Sequence, residues 1–174
     1  MERKVIFEFN NFEEIRRLAN NNGGKKAILT QIAIQHTVDD CDSINYLLTE
    51  LDYTNEKVIR SDRYSNKDVE IYGWDAVRKW VEEDIERYEE YGISWNSMGI
   101  SAEAKILLPF KAYTNDGLGW NFKIQKISSG GIWGIESDSD NSYVEKEEHN
   151  QIVELMDYLR ILNVDLSLLD IEII

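Results

Sequence analysis

Apolar residues in the first third of the chain follow first a strand-like and then a helix-like spacing. The stretch KVIFEF predicts a strand, and NNFEEIRRLANNNGG predicts a helix that is capped by Asn11 and carries Glu13 and Glu14 in its positive first turn. The isoleucine-rich KKAILTQIAIQH is typical of a largely buried strand. Two sets of apolar residues are expected to face the core from the first helix and from a short helix in DSINYLLTELDY: Phe12, Ile15 and Leu18, then Ile44, Leu47, Leu48 and Leu51.

The second part of the chain predicts a long helix, a hairpin and a final helix. A short strand, KVIRS, and a polar loop precede the helix of GWDAVRKWVEEDIERYEEYG. The stretches SWNSMGISAEAKILLPFKAY and LGWNFKIQKI, joined by the turn TNDGLG, predict an antiparallel hairpin, and GIWGI a further short strand. Ser142 and Glu145 form a capping-box pattern that predicts a last helix from Tyr143. This helix is expected to bury Val144, Ile152, Leu155, Met156, Leu159 and Leu162, and the tail NVDLSLLDIEII to dock as a strand or helical turn.

Strands and helices do not alternate regularly in this order, which distinguishes the chain from a doubly wound sheet. We therefore expect an α+β fold with a mainly antiparallel sheet, built on the central hairpin and packed with three to four helices. A length of 174 residues fits one domain, or one domain with an appendage. We expect an N-terminal α/β portion over residues 1–70, of open role, and an α+β portion over 71–174, which together form one continuous domain or two.

Charge is the unusual property of the composition. Nineteen basic and thirty-three acidic residues give a net charge of −14, which repels nucleic acids and anionic membranes and attracts basic protein surfaces. The N-terminal residues lack the apolar core of a signal peptide, so we expect a soluble, cytoplasmic protein. The single Cys41 excludes an internal disulfide, and its neighbours Asp39, Asp40 and Asp42 disfavour a reactive thiolate.

Two acidic clusters are candidates for a functional surface. In WVEEDIERYEEYG six carboxylates accompany one base, Arg87, and in the stretch from Trp133 to Glu148 six carboxylates accompany Lys146. Like charges one helical turn apart repel each other, so a basic partner that neutralises them would account for their retention. The residues predicted to contact such a partner are Glu82, Glu83, Glu86, Glu89, Glu90, Trp133, Glu136, Asp138 and Asp140.

The run ESDSD also allows a metal site. A calcium-binding EF-hand is excluded, because a loop that starts at Asp138 would place Tyr143 and His149 where that loop needs Gly and Glu. Mg²⁺ or Mn²⁺ held by Glu136, Asp138 and Asp140, with His149 nearby, remains an alternative; such a metal would activate water to cleave a phosphodiester, for example in a guide RNA. A regulatory or structural binding module with an acidic surface is a further alternative. A solvated entry to the last helix is the third interpretation. No nucleotide-binding glycine loop or G-x-S-x-G nucleophile motif is present in the sequence.

Aromatic and basic residues of the second half add a weaker signal. Trp74, Trp80, Trp95, Trp120 and Trp133 are expected mainly in the core, although tryptophans beside carboxylates also make protein-binding hot spots. The hairpin has a mild basic character, so a nucleic-acid contact is possible if its lysines share one face: Lys105, Lys111, Lys123 and Lys126.

The segment GGIWGIESDSD, from Gly130 to Asp140, resembles a signature of the form GGLWGIESDSD found in a family of small phage, plasmid and integrative-element proteins. The resemblance covers roughly residues 74–162 and does not extend to the first 70. Accessory proteins of such elements imply a role in blocking host defence, as anti-CRISPR or antirestriction proteins do. The resemblance thus implies an inhibitor of a nuclease, most plausibly a CRISPR effector, that imitates nucleic acid; it carries over no catalytic residue.

Overall fold

The computed structural model describes residues 2–39 and 41–169, without the side chains of residues 41–43 and 114. The α+β class is confirmed, with four α-helices and a mainly antiparallel sheet. The elements follow in this order: β1 (Glu2–Glu8), α1 (Phe12–Asn21), β2 (Ile28–Val38), a 3₁₀ helix (Cys41–Leu47), β3 (Glu50–Asp52), β4 (Lys57–Arg60), α2 (Asn66–Tyr72), α3 (Trp74–Glu89), β5 (Ser97–Thr114), β6 (Gly117–Ser128), β7 (Ile132–Glu136) and α4 (Asn141–Ile161).

Two compact units share the chain. Residues 1–37, 99–135 and 139–174 form the first unit, and residues 38–98 with 136–138 form the second. The division near residue 70 that the sequence suggested stays a prediction. Among the described residues, no helix is both long enough and apolar enough to cross a membrane.

The first unit is built on a sheet with the strand order β1-β2-β5-β6, in which β7 pairs with β5 beyond this path. The predicted hairpin is confirmed: β5 and β6 pair antiparallel from Glu103 opposite Ser128 to Thr114 opposite Gly117. Helix α1 packs Ile15 and Ala19 against Ile28 and Leu107. Its predicted cap is also present, because the Asn11 side chain accepts hydrogen bonds from the backbone N–H groups of Glu13 and Glu14. Phe12, expected to be buried, is instead 54% exposed.

Helix α4 begins earlier than the sequence predicted. The expected capping box of Ser142 and Glu145 is wrong: Asp140 caps the helix, its carboxylate accepts a hydrogen bond from the backbone N–H of Ser142 at 2.8 Å, and the helix starts at Asn141. Aspartate and serine are equally good N-caps, and α4 begins after the earlier of the two residues, Asp140. Of the expected apolar face, Leu162 follows the helix end and is exposed, whereas four residues are buried: Ile152, Leu155, Met156 and Leu159.

The second unit contains the largest departure from the predicted elements. The expected helix of residues 42–53 is wrong, since a 3₁₀ helix ends at Leu47 and β3 pairs antiparallel with β4. Asp52 favours this hairpin because its side chain accepts hydrogen bonds from the backbone N–H groups of Thr54 and Asn55, which closes the turn locally. Leu48, expected in the core, is exposed. Helix α2 lies where a polar loop was expected, and the predicted strand KVIRS is confirmed as β4.

Helix α3 confirms its predicted buried face. Val77 and Val81 pack with Val58 in one cluster of the second unit, and Ile85 and Trp80 lie against it. Trp95 packs with Ile44 and Leu47 in another cluster and is the one fully buried tryptophan among the described residues.

Asp84 of α3 is a buried carboxylate, 8% exposed, inside a helix whose other late acids face solvent. It accepts a 2.5 Å hydrogen bond from Arg63 and a 2.8 Å hydrogen bond from the Tyr64 hydroxyl. Burial, reinforced by the neighbouring carboxylate, raises the pKa of Tyr64 to about 12. Asp84 therefore belongs to the scaffold rather than to the acidic surface.

Two regions of interest in the sequence fall partly outside the described residues. These are Asp40 and the last five residues of the tail, 170–174; the side chain of Cys41 is not described either. Within the described part of the tail, Asp165 bridges to Ile28 and its backbone N–H donates to the carbonyl of Ala27, so residues 164–165 dock on the first unit.

Replacing Tyr64 by Phe is expected to destabilise the protein by about 1–3 kcal/mol, because a buried charged carboxylate loses one of its two donors. The matched control is Tyr53→Phe, since Tyr53 is exposed, its ring lies edge-on against Trp74, and its hydroxyl makes no hydrogen bond among the described residues. Denaturant unfolding of both variants measures the difference. Equal free energies of unfolding for the two variants would contradict the role assigned to the Tyr64 hydroxyl.

Candidate functional site

The glycine pair that opens the segment GGIWGIESDSD is held by side chains of α4. The Gln151 side-chain oxygen accepts from the backbone N–H of Gly131 at 3.0 Å and from the Ser129 hydroxyl at 2.7 Å. The Glu154 carboxylate accepts from the N–H of Gly130 at 3.2 Å. Gly131 has a φ of 78°, a left-handed conformation that glycine adopts without strain. The two glycines therefore make the turn that leads into β7.

Trp133 follows on β7 and is 57% exposed. Its ring lies over Gly99 of β5 so closely that a Cβ atom at Gly99 would meet the ring at 2.2 Å. One face of the indole is thus seated against a backbone that only glycine provides, and the rest of the side chain is open to solvent. The predicted role of Trp133 as a contact residue stays a prediction.

Arg87 of α3 binds the first two acids of the segment. Its guanidinium donates two hydrogen bonds of 2.7 Å to the Asp138 carboxylate, one from each terminal nitrogen, and one of 2.9 Å to Glu136. A fork of two parallel N–H···O bonds is the strongest geometry for an arginine–carboxylate pair. Glu136 and Asp138 therefore form an ion-pair cluster with Arg87 inside the second unit, rather than a pair of free anions.

The indole of Trp95 completes this cluster. The guanidinium carbon of Arg87 lies 4.0 Å from the ring centroid, and the indole N–H donates to the Arg87 carbonyl at 2.7 Å. Between the two acids, Ser137 pairs with Asn96 through both backbone and hydroxyl: its N–H donates to the Asn96 carbonyl, and its hydroxyl accepts from the Asn96 N–H, each at 2.8 Å. Residues 136–138 are thereby fixed at every position.

Ionisation of the cluster follows from these contacts. Hydrogen bonding to Arg87 lowers the pKa of Asp138, and the same bond, with the charges of Glu136 and Asp138, raises the pKa of Arg87. Asp138 and Arg87 are both charged at neutral pH. One guanidinium is shared by two carboxylate side chains, so it neutralises at most one of their two negative charges.

Asp140, the third acid of the run, has a different partner. Its carboxylate caps α4 and also accepts the Ser142 hydroxyl, which lowers the pKa of Asp140. The acids of the ESDSD run thus have two kinds of partner: Glu136 and Asp138 bind a guanidinium, and Asp140 caps a helix. Among the residues that the structure describes, no three His, Cys, Asp or Glu side chains gather in a way that could hold a metal ion, and His149 is exposed on α4.

The acids of α3 are placed differently from those of the ESDSD run. We call Glu82, Glu83, Glu86, Glu89 and Glu90 the α3 acidic face; all five are exposed. Arg78 lies 3.9 Å from Glu82 and Lys79 lies 3.6 Å from Glu83. Within the described residues, Glu86 and Glu89 take part in no ion pair, because the nearby base Arg87 is engaged by Glu136 and Asp138.

Glu86 is the centre of the α3 acidic face. It has a glutamate three and four residues before it and three and four residues after it, which are its neighbours on a helix surface: Glu82, Glu83, Glu89 and Glu90. The last turns of a helix also carry the negative end of its dipole. This arrangement concentrates negative charge where the helix itself disfavours it.

Arg87 is the residue that sequence reasoning assigned no role. It was counted only as the single base among the acids of its own helix, whereas its partners lie about fifty residues later in the chain. One sequence signal could have identified its role. Glu136 and Asp138 are two residues apart, and alternate residues of an extended segment share a side, so together they suit a single arginine such as Arg87.

Arg87→Gln is expected to destabilise the second unit by about 1–2 kcal/mol, a value reduced because Glu136 and Asp138 are 43% and 44% exposed. Arg160→Gln is the matched control, since Arg160 makes one exposed pair with Asp157 in α4, worth about 0.5 kcal/mol or less.

The same pair of variants tests pH dependence. The pKa of Asp138 is lowered in the folded state, so its stabilising effect is present above its unfolded pKa, near 3.9, and is lost as the pH falls through the lowered folded value. The stability difference between the wild type and Arg87→Gln should therefore be constant from about pH 5 to 7 and shrink below about pH 4. A difference that stays constant down to pH 2 would contradict the assigned ion pair.

Comparisons of this chain with protein-family models, curated proteins and solved structures found no match. The resemblance of the GGIWGIESDSD segment therefore stays a prediction.

Proposed function

We propose that this protein is a non-enzymatic inhibitor that binds a basic, nucleic-acid-binding protein through the α3 acidic face. The observation that supports the proposal is Glu86, an exposed carboxylate with four glutamates one turn away and no ion-pair partner among the described residues. Each like-charge pair at this spacing costs roughly 0.2–0.5 kcal/mol, and a helix that needed only solubility would not concentrate these costs in its last turns.

A groove lined by Lys and Arg is the complementary surface. Carboxylates at helical spacing present a row of negative charges to such a groove, in the way that phosphates do, and steer the encounter over a distance of about one Debye length. The sequence resemblance suggests that the protein with this groove is a defence nuclease of the bacterial host, most plausibly a CRISPR effector. The contact roles predicted for Trp133 and Asp140 stay predictions.

The contributions of the two acidic clusters to binding should differ. Asp138 accepts two hydrogen bonds from Arg87 and Glu136 accepts one, so their charge is partly neutralised before any partner arrives. Glu86 and Glu89 have no such competitor among the described residues. The α3 acidic face therefore supplies the larger part of the attraction. The ion-pair cluster of Arg87 instead holds residues 136–138 in place within the second unit.

Neutralising the centre of the α3 acidic face should weaken inhibition. We expect Glu86→Gln with Glu89→Gln to reduce affinity for the target effector by up to about tenfold at low salt, and less at high salt, since exposed charges contribute roughly 0.2–1 kcal/mol each. The matched control, Glu70→Gln with Glu145→Gln, removes the same charge from exposed positions on α2 and α4.

The measurement is competition with target DNA for guide-loaded CRISPR effectors of bacterial hosts, at two salt concentrations. Wild type and control should block DNA binding equally, and the Glu86/Glu89 variant should need a higher concentration. Failure of the wild type to bind any effector, or equal inhibition by both variants, would overturn the proposal.

Stability provides an independent check on the cost of this surface. Glu86→Gln should raise the free energy of unfolding by about 0.5–1 kcal/mol, because it removes four repulsive pairs and one charge near the negative end of the helix dipole. Glu70→Gln, which lies in α2, should change it by less. A destabilised Glu86→Gln protein would show that Glu86 has a structural role, and the functional argument would then lose its basis.

A further inference from the structure

A small pocket in the first unit has a charge opposite to that of the chain as a whole. It has a volume of about 190 Å³ and lies where the first turns of α1 meet β5 and β6. Arg16 and Lys105 are its only charged lining residues, so its lining carries two positive charges in a protein of net charge −14. Neither cation takes part in an ion pair among the described residues. The pocket is therefore locally suited to an anion.

The walls of the pocket are aromatic rather than polar. Phe9 and Phe122 are partly buried against the core cluster of α1, and Phe12 at the start of that helix is 54% exposed at the rim. Phe12 was expected in the core, yet its ring contributes to the lining of an open slot. Flat aromatic surfaces beside a cation are the groups on which planar rings stack.

One side-chain amide, that of Asn10, completes the lining. Asn10 makes no side-chain hydrogen bond among the described residues, so its amide is available to a ligand. Amide groups can both donate and accept, which suits the polar edge of a heterocycle and has no counterpart in an alkyl chain. The lining thus combines a stacking surface, hydrogen-bonding edges and two cations.

The size of the pocket decides how much of a ligand it takes. Whole small-molecule sites usually measure roughly 300–1,000 Å³, so about 190 Å³ accommodates one planar ring system and leaves an attached group outside. Arg16 is exposed and Lys105 half-buried, which places positive charge at the mouth for that outer group. The attached group is therefore the anionic one.

The register of the hairpin places further positive charge on the same face. Lys105 lies directly opposite Lys126, and Lys111 is six residues along β5, an even number, so all three lysines share one face. Lys123 lies opposite Leu108 and belongs to the other face. Three of the four lysines that the sequence singled out thus share a face with the pocket, although Lys126 is paired with Glu103 and Lys111 lies over Trp120.

We propose that this pocket binds a free nucleoside monophosphate, with the base between the phenylalanine rings and the phosphate at Arg16 and Lys105. This ligand class meets each feature of the lining: a flat ring system, polar ring edges and a dianionic group at the mouth. The site is separate in sequence and in unit from the α3 acidic face, and it stands whether or not that face binds a nuclease.

The test is calorimetric titration of the full chain, at low ionic strength, with AMP, UMP, adenosine, inorganic phosphate and a short single-stranded oligonucleotide. AMP or UMP should bind, adenosine more weakly, and phosphate alone weaker still. Arg16→Gln with Lys105→Gln should lower monophosphate affinity by about tenfold and leave adenosine affinity within about twofold. The matched control is Arg17→Gln with Lys123→Gln, which removes the same charge from the next position of α1 and from the opposite face of β6.

A second pair of variants tests the stacking surface. Phe12→Ala should weaken both AMP and adenosine, whereas Phe110→Ala, an exposed phenylalanine on the other face of β5, should weaken neither. Both positions are exposed, so each variant is expected to fold, and thermal unfolding is the measurement that checks this. The proposal is overturned by the absence of monophosphate binding at about 1 mM, by phosphate binding as tightly as AMP, by binding of the oligonucleotide alone, or by equal losses in test and control variants.

Discussion

One guanidinium determines how the acidic residues of this protein are divided. Arg87 contacts the ring of Trp95 at 4.0 Å and donates to Glu136 and Asp138 at 2.7–2.9 Å. By binding these two acids it secures residues 136–138 to α3 within the second unit, and by turning toward them it leaves the glutamates of its own helix without their nearest base. The same side chain therefore stabilises one acidic cluster and leaves Glu86 and Glu89 of the α3 acidic face without an ion pair among the described residues.

Each acid of the GGIWGIESDSD segment therefore has an identified partner within the fold. Glu136 and Asp138 are partners of Arg87, and Asp140 caps α4. The glycines and Trp133 are explained by backbone geometry and by the close approach of the indole to Gly99. Each acid of this segment already has a partner in the fold, so the binding surface is better sought on α3. The pocket beside α1 adds the opposite case, a small basic and aromatic site on an acidic chain.

The regular elements were predictable wherever local chemistry and periodicity agreed. The Asn11 cap, the long hairpin and the buried face of α3 all followed from spacing that no distant contact alters. The predicted helix of residues 42–53 failed because the side chain of Asp52 closes a turn and β4 supplies a pairing partner, which outweigh apolar residues at helical spacing. The role of Arg87 was signalled only by the spacing of the two distant acids that it binds. The role of Asp84 could not be predicted, since whether a charged residue of an acidic helix is exposed or buried depends on which side chain from another element reaches it.

A double-mutant cycle between Arg87 and Asp138 tests the central claim most directly. The free energies of unfolding of Arg87→Gln, Asp138→Asn and the double variant, compared with wild type, give the coupling between the two side chains without the effects that each change has alone. The account predicts a favourable coupling of about 1 kcal/mol at neutral pH, as expected for a forked, partly exposed arginine–carboxylate pair. Additive effects, with a coupling below about 0.3 kcal/mol, would contradict it, because Asp138 would then be as free as the glutamates of α3.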